Sequence, residues 1–141
     1  KRNSMIRFFF ENKFTLKNRR VIKQWLDQVA KSEKKSIKGV NYIFCDDDYL
    51  LEKNIKYLKH NTLTDIISFD YSQGDALLGD VFISTERVME NAVTLGVERT
   101  EELHRVMVHG LLHYCGFKDK TLKEKELMRM KEDYYLSLRT F

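Results

Sequence analysis

The spacing of apolar residues changes several times along the chain, and each change marks an element. MIRFFFEN (Met5 to Asn12) is short and aromatic and predicts a first strand. Ile22, Trp25, Leu26 and Val29 then recur at helical spacing in a Lys/Arg-rich background, predicting an amphipathic helix from Lys17 to Lys31. After Gly39, VNYIFC predicts a second strand. Asp46, Asp47 and Asp48 follow directly, and one of them is expected to cap a helix carrying Leu50, Leu51, Ile55 and Leu58. An acidic triplet also suits a metal, but capping with dipole-favourable charge is the simpler account.

TDIISFDY and ALLGDVFIS predict two more strands, joined through Ser72, Gln73, Gly74 and Asp75, a composition suited to a hairpin turn. A helix follows from Thr85 to Leu95, with Val88, Ala92 and Leu95 inward and Gly96 ending it. Two more helices are expected, about 100–115 and 121–138. The last opens on a capping box, Thr121-x-x-Glu124, and its periodicity predicts burial of Leu127, Met130, Tyr134 and Leu138. Four strands and about five helices make an α+β fold, a mixed four-stranded sheet in a single domain, 1–141.

Composition narrows the class. With 43% hydrophobic and 33% charged residues the chain is an ordinary globular one. No apolar run approaches the roughly 20 residues of a membrane span, so no membrane is expected. The start, KRNSMIRFFF, has no signal-type apolar segment, and Lys1 to Ser4 are expected to be an expression or trimming remnant. Two cysteines, Cys45 and Cys115, imply no disulfide framework and a cytoplasmic location. A net charge of +4 permits contact with RNA or DNA without demonstrating it.

The candidate chemistry lies in HGLLHYCGFKDK, His109 to Lys120. From Val106 onward nearly every position of this helix is apolar, so it is buried, and its histidines face the interior or a cleft. An i, i+4 pair lies only about 40° apart around the axis, so His109 and His113 can reach one ion. The same pair also suits two hydrogen-bonded core residues, and the spacing alone does not choose. His104 lies about 140° round from His109 and faces elsewhere. Cys115 reads as buried packing. Gly116 can end the helix in the left-handed conformation and fold the chain back, so that Asp119 returns over the imidazoles. A carboxylate is a competent third zinc ligand, and water in the fourth position makes a catalytic site. Gly110 stands where the HExxH peptidase motif has its glutamate, which disfavours a zinc peptidase.

These residues resemble the YbeY family of bacterial endoribonucleases and ribosomal-RNA maturation factors, whose signature is H-G-x-L-H-x-x-G-[YF]-D-H. His109, Gly110, Leu112, His113, Gly116 and Phe117 match it. Asn54, Tyr57, Thr64, Asp65, Ser68 and Phe69 match a second family block, and Gly79, Asp80, Val81, Ile83 and Ser84 a third. A family methionine nine residues after the last ligand corresponds to Met128.

The resemblance implies one zinc ion held by His109, His113 and Asp119, which are also the catalytic residues, with Asp119 in place of the family's third histidine. It implies cleavage of single-stranded RNA in 16S rRNA maturation and ribosome quality control. Its partners are then RNA, the small ribosomal subunit and ribosome-associated proteins. Asp119 leaves the site less positive than a third imidazole does; Lys118 and Lys120 either restore that charge or are solvated loop residues. The family's arginine with a catalytic or phosphate-contacting role is replaced by Leu58, with Lys59 next to it, and its loop proline by Leu63. Lys59, Lys118, Lys120 and Ser68 are therefore the RNA-binding candidates at the site. Lys17, Arg19, Arg20, Lys23, Lys53 and Lys56 are candidates along the approach. The competing class is an RNA-binding ribosome-assembly factor with a mainly structural metal.

Overall fold

The computed structural model describes residues 5–141, so Lys1 to Ser4 and the reading attached to them lie outside the described residues. In chain order it runs β1 (Ile6–Phe10), α1 (Arg19–Ser32), β2 (Ser36–Cys45), α2 (Asp47–Lys53) and a π-helical turn Asn54–Leu58. These are followed by β3 (Ile66–Asp70), β4 (Ala76–Ser84), α3 (Thr85–Leu95), α4 (Arg99–Tyr114) and α5 (Leu122–Ser137). The architecture is the expected α+β domain, with one mixed sheet of order β1-β2-β4-β3. β1 and β4 flank β2 in parallel, while β3 and β4 form the predicted antiparallel hairpin. Gly74 takes the left-handed conformation at its turn (φ 59°), a conformation other residues adopt only at a cost.

Strand alternation divides the sheet into unequal faces. Val40, Tyr42, Phe44, Leu77, Val81 and Ile83 point into the main core shared with α1, α4 and α5. The opposite face carries Arg7, Phe9, Asn41, Ile43, Asp80 and Phe82, none of them buried. Among the described residues, α2 and the π turn lie on that side, α2 sealing a small cluster of Cys45, Leu50 and Ile67.

The central helix is α4, and glycine lets it approach closely. A Cβ on Gly110 would meet Ile66 Cδ1 at 3.0 Å and Val81 Cγ1 at 3.1 Å, so the absence of a side chain sets the helix–sheet distance. Tyr42 donates its hydroxyl to Met107 O (3.0 Å), and Tyr114 Oη lies 2.9 Å from Phe69 O and 3.0 Å from Asp80 O. These bonds pin both halves of the helix to the strands. Trp25 Nε1 donates to Tyr135 O (2.8 Å) and ties α1 to α5.

Several sequence expectations are corrected. The capping box on α5 is present, but the buried residues are Met128, Glu132, Tyr135 and Leu136. Leu127, Met130, Tyr134 and Leu138 are exposed, because the inward stripe includes an acidic residue that periodicity of apolar positions does not find. Leu95 is exposed at the end of α3, where the helix runs past the core, whereas Val88 and Ala92 face in as expected. Ile55 and Leu58 are exposed too, because the π turn rotates them off the inward line of Leu50. Asp46 holds the N-cap position of α2 without a side-chain cap bond and instead accepts from Asn12 Nδ2. The free amide of Asp47 donates to Glu86 Oε1 on α3 (3.0 Å), so the cap is supplied from the next helix.

Candidate metal centre

On α4, Glu102, Arg105, His109 and His113 follow at spacings of three, four and four, which places them on one stripe. All four line a cleft of about 470 Å³, whose other walls include Thr64 and Asp65 just before β3, Ser68 on β3, Asp119, and Arg129 and Glu132 of α5. The stripe is polar because it faces this cleft, while the rest of α4 is sunk in the core.

The chain reverses immediately after the helix. Gly116 adopts φ 104°, and Phe117 N–H donates back to Leu112 O at 3.1 Å. The reversal returns Asp119 to the imidazoles, as the sequence suggested. Asp119 Oδ2 stands 3.1 Å from His109 Nε2 and 3.2 Å from His113 Nε2, and the two Nε2 atoms are 3.0 Å apart.

The outer ring nitrogens define what this triangle can do. His113 Nδ1 lies 3.0 Å from Phe117 O, a carbonyl that can only accept, so Nδ1 carries the hydrogen and Nε2 its lone pair. His109 Nδ1 lies 2.6 Å from Glu132 Oε2, with the same consequence. In their neutral forms both imidazoles therefore turn an Nε2 lone pair toward Asp119 Oδ2, a set of three donor atoms suited to sharing a cation, whether a proton or a metal ion. A tetrahedral zinc with bonds of about 2.0–2.1 Å sets its ligand atoms about 3.3 Å apart. The observed triangle is close to that size, so these side chains can hold a metal ion.

The surroundings are strongly charged. Burial pulls the His109 imidazolium down, but the Glu132 hydrogen bond and the charges of Glu132, Asp119 and Asp65 outweigh it and raise its pKa. Burial raises the pKa of Asp65, with His109 opposing, and burial does the same for Glu102 beside Asp65. Glu132 is 5% exposed and is neutralised by Arg105 Nη1 at 3.0 Å. Arg105 also binds Asp133 (2.7 Å), which commits its guanidinium to α5. Arg129 is different: its side chain is 60% exposed and only 3.8 Å from Glu132 Oε1.

Of the sequence candidates, His109, His113, Asp119 and Ser68 meet at this cleft. Lys118 and Lys120 are exposed on either side of Asp119, and Lys59 is exposed after the π turn; none lines the cleft. The sequence reading missed Glu102, Arg105, Arg129 and Glu132. The first two were accessible as the continuation of the histidine stripe toward the start of α4.

Fold and site together define an α+β domain with a two-histidine, one-carboxylate centre where a buried helix meets a return turn. The family model described as Endoribonuclease YbeY matches residues 9–139, and the chain belongs to the YbeY family. It is 52% identical over 133 residues to Endoribonuclease YbeY of Christiangramia forsetii, covering 94% of this chain and 93% of that one. It is 54% identical over 134 residues to Endoribonuclease YbeY of Flavobacterium psychrophilum, covering 95% and 96%. A solution structure from Thermotoga maritima superposes with a TM-score of 0.69 at 26% identity, over 94% of this chain and 87% of that one.

Proposed function

We propose that the protein is a metal-dependent endoribonuclease that cuts single-stranded RNA, with one zinc ion held by His109 Nε2, His113 Nε2 and Asp119 Oδ2. The observation that carries this reading is the convergence of three lone-pair-bearing atoms within 3.2 Å on the wall of an open cleft. Relatives named as endoribonucleases at about half identity supply the reaction class.

Zinc bound there supplies Lewis-acid stabilisation of the charge that develops on a phosphodiester during cleavage. The protein supplies the rest. Glu132 and Phe117 O fix the two imidazoles in the ligating tautomer. Arg105 holds Glu132 in place and is itself held by Asp133. Arg129, loosely tethered at the cleft mouth, contacts the phosphate next to the scissile one. Asp65 carries the proton: burial raises its carboxyl pKa, which suits it to give or take a proton at the cleft. Ser68 binds the backbone from β3, and Lys59, Lys118 and Lys120 attract RNA to the rim.

The cellular role that follows is 16S rRNA maturation and ribosome quality control in the cytoplasm, on the small ribosomal subunit and with ribosome-associated proteins. Metal-stripped and zinc-reloaded protein should be compared on single-stranded RNA. Cleavage that vanishes on stripping and returns on reloading, with the fold intact throughout, is the expected result. Equal cleavage in both states overturns the metal role. Global unfolding on stripping supports instead an assembly factor with a structural ion.

A further inference from the structure

The sheet's outer face is not accounted for by the metal centre. Beside the β3 edge it presents a second concavity, about 250 Å³, lined by Lys53, Tyr57, Phe69, Tyr71, Asp80 and Phe82. Tyr57 and Tyr71 are 51% and 60% exposed, which leaves ring surface open to a partner. The rings are ordered against one another, with Tyr57 edge-on to Phe69 (5.8 Å) and Phe69 edge-on to Phe82 (5.8 Å). Cations are interleaved with them. Lys53 Nζ lies 5.3 Å from the Tyr49 ring, 5.5 Å from Tyr57 and 5.7 Å from Phe82, and Lys56 Nζ lies 5.3 Å from Tyr57.

We infer that this face is a stacking platform for single-stranded RNA, continuous with the catalytic cleft around the β3 edge. The inference rests on the RNA reading above and adds where the substrate lies outside the cleft. Ser68 and Phe69 are neighbours on β3, one lining the cleft and the other the outer concavity. β3 is an edge strand, so a strand leaving the cleft has no further element to cross before reaching Tyr57 and Tyr71. Aromatic faces take bases of any sequence, and nearby lysines track the phosphates. An open sheet face bearing aromatics is a recognised solution for unpaired RNA. The lining carboxylate, Asp80, accepts from Asn41 Nδ2 at 3.0 Å and stays on the floor of the concavity as an acceptor. The exposed rings and the ammonium groups of Lys53 and Lys56 complement a polyanion with flat bases.

The test measures fluorescence anisotropy of a labelled single-stranded RNA of about a dozen nucleotides on the full, zinc-loaded chain. Tyr57→Ala and Tyr71→Ala should each weaken binding by about 5- to 150-fold, the range for losing one base–aromatic stack. Tyr57→Phe and Tyr71→Phe should restore it, because a phenyl face stacks equally well. Zinc stoichiometry and turnover of a dinucleotide, too short to reach the platform, should not change. Wild-type binding with unaffected Ala variants overturns the platform alone and leaves the face to a protein partner. Phe variants as weak as Ala overturn stacking as the cause. A wild-type chain with no affinity for the RNA overturns the endoribonuclease reading together with this inference.

Discussion

Glu132 of α5 and His109 of α4 meet across the helix interface with Oε2 2.6 Å from Nδ1, and Glu132 also holds Arg105 at 3.0 Å. A buried carboxylate thereby links the orientation of a ligand to the packing of two helices. Removing such a partner typically costs about 10- to 100-fold in metal affinity. Glu132→Ala should show that loss in a zinc-competition titration, and should lower the melting temperature of metal-free protein by leaving Arg105 with Asp133 alone. Glu132→Gln keeps an acceptor and should lose less zinc affinity. Equal losses in both variants would show that hydrogen-bond orientation is not the cause.

Arg129→Ala should leave zinc affinity unchanged, because the guanidinium is 3.8 Å from Glu132 and touches no ligand. RNA cleavage should fall by about 10- to 100-fold in kcat/KM, the scale of a charge-assisted contact. The slope of log affinity against log salt should shrink by about 0.7, the value for one phosphate contact on a single strand. An unchanged slope would remove Arg129 from the phosphate path.

His104 gives a pH prediction independent of the metal. Burial, reinforced by the positive Arg139 beside Nδ1, pushes its pKa down to about 4, with Glu101 opposing. Between the ordinary value of 6.5 and about 4 the unfolded chain binds this proton and the folded one does not. Stability from this residue is therefore complete above pH 6.5 and declines on acidification, by about 3 kcal/mol when pH 4 is reached. Denaturant melts across that window should show the decline in wild type and a shallower one in His104→Gln. Parallel curves would mean that His104 is not kept neutral.

Gly110→Ala gains about 1 kcal/mol of helix propensity. It also places a methyl 3.0 Å from Ile66 Cδ1 and 3.1 Å from Val81 Cγ1, on a side of the helix that is packed. Overpacking of this kind costs about 1–3 kcal/mol, so chemical denaturation should show a net loss, accompanied by weaker zinc binding as α4 lifts from the sheet. A more stable variant with native zinc affinity would show that the helix–sheet distance is not critical.

How much of this was written locally is clear from particular residues. The β3–β4 hairpin, the Gly96 and Gly116 helix ends and the Thr121–Glu124 box depend on neighbours in sequence, and each forms where its residues predict. The Asp119 return is equally local, a consequence of one glycine. The phase of α5 is not. Its two apolar stripes differ by one residue, about 100°, and the buried one contains Glu132, acceptable inside only because Arg105 and His109 meet it from another helix. At α2, Asp46 takes the N-cap position the sequence predicts, but the acceptor for the free amide of Asp47 is Glu86, far along the chain. Polar partners contributed by distant elements leave no periodic signal.

The central claim is that Asp119 completes the metal centre. Its most direct test is the zinc content and affinity of Asp119→Ala beside wild type, by atomic absorption and competition titration. The account predicts one tightly held zinc per wild-type chain and a large loss of affinity in the variant, with His109 and His113 retaining at most a weakly bound ion. Full stoichiometry at wild-type affinity in Asp119→Ala would contradict it.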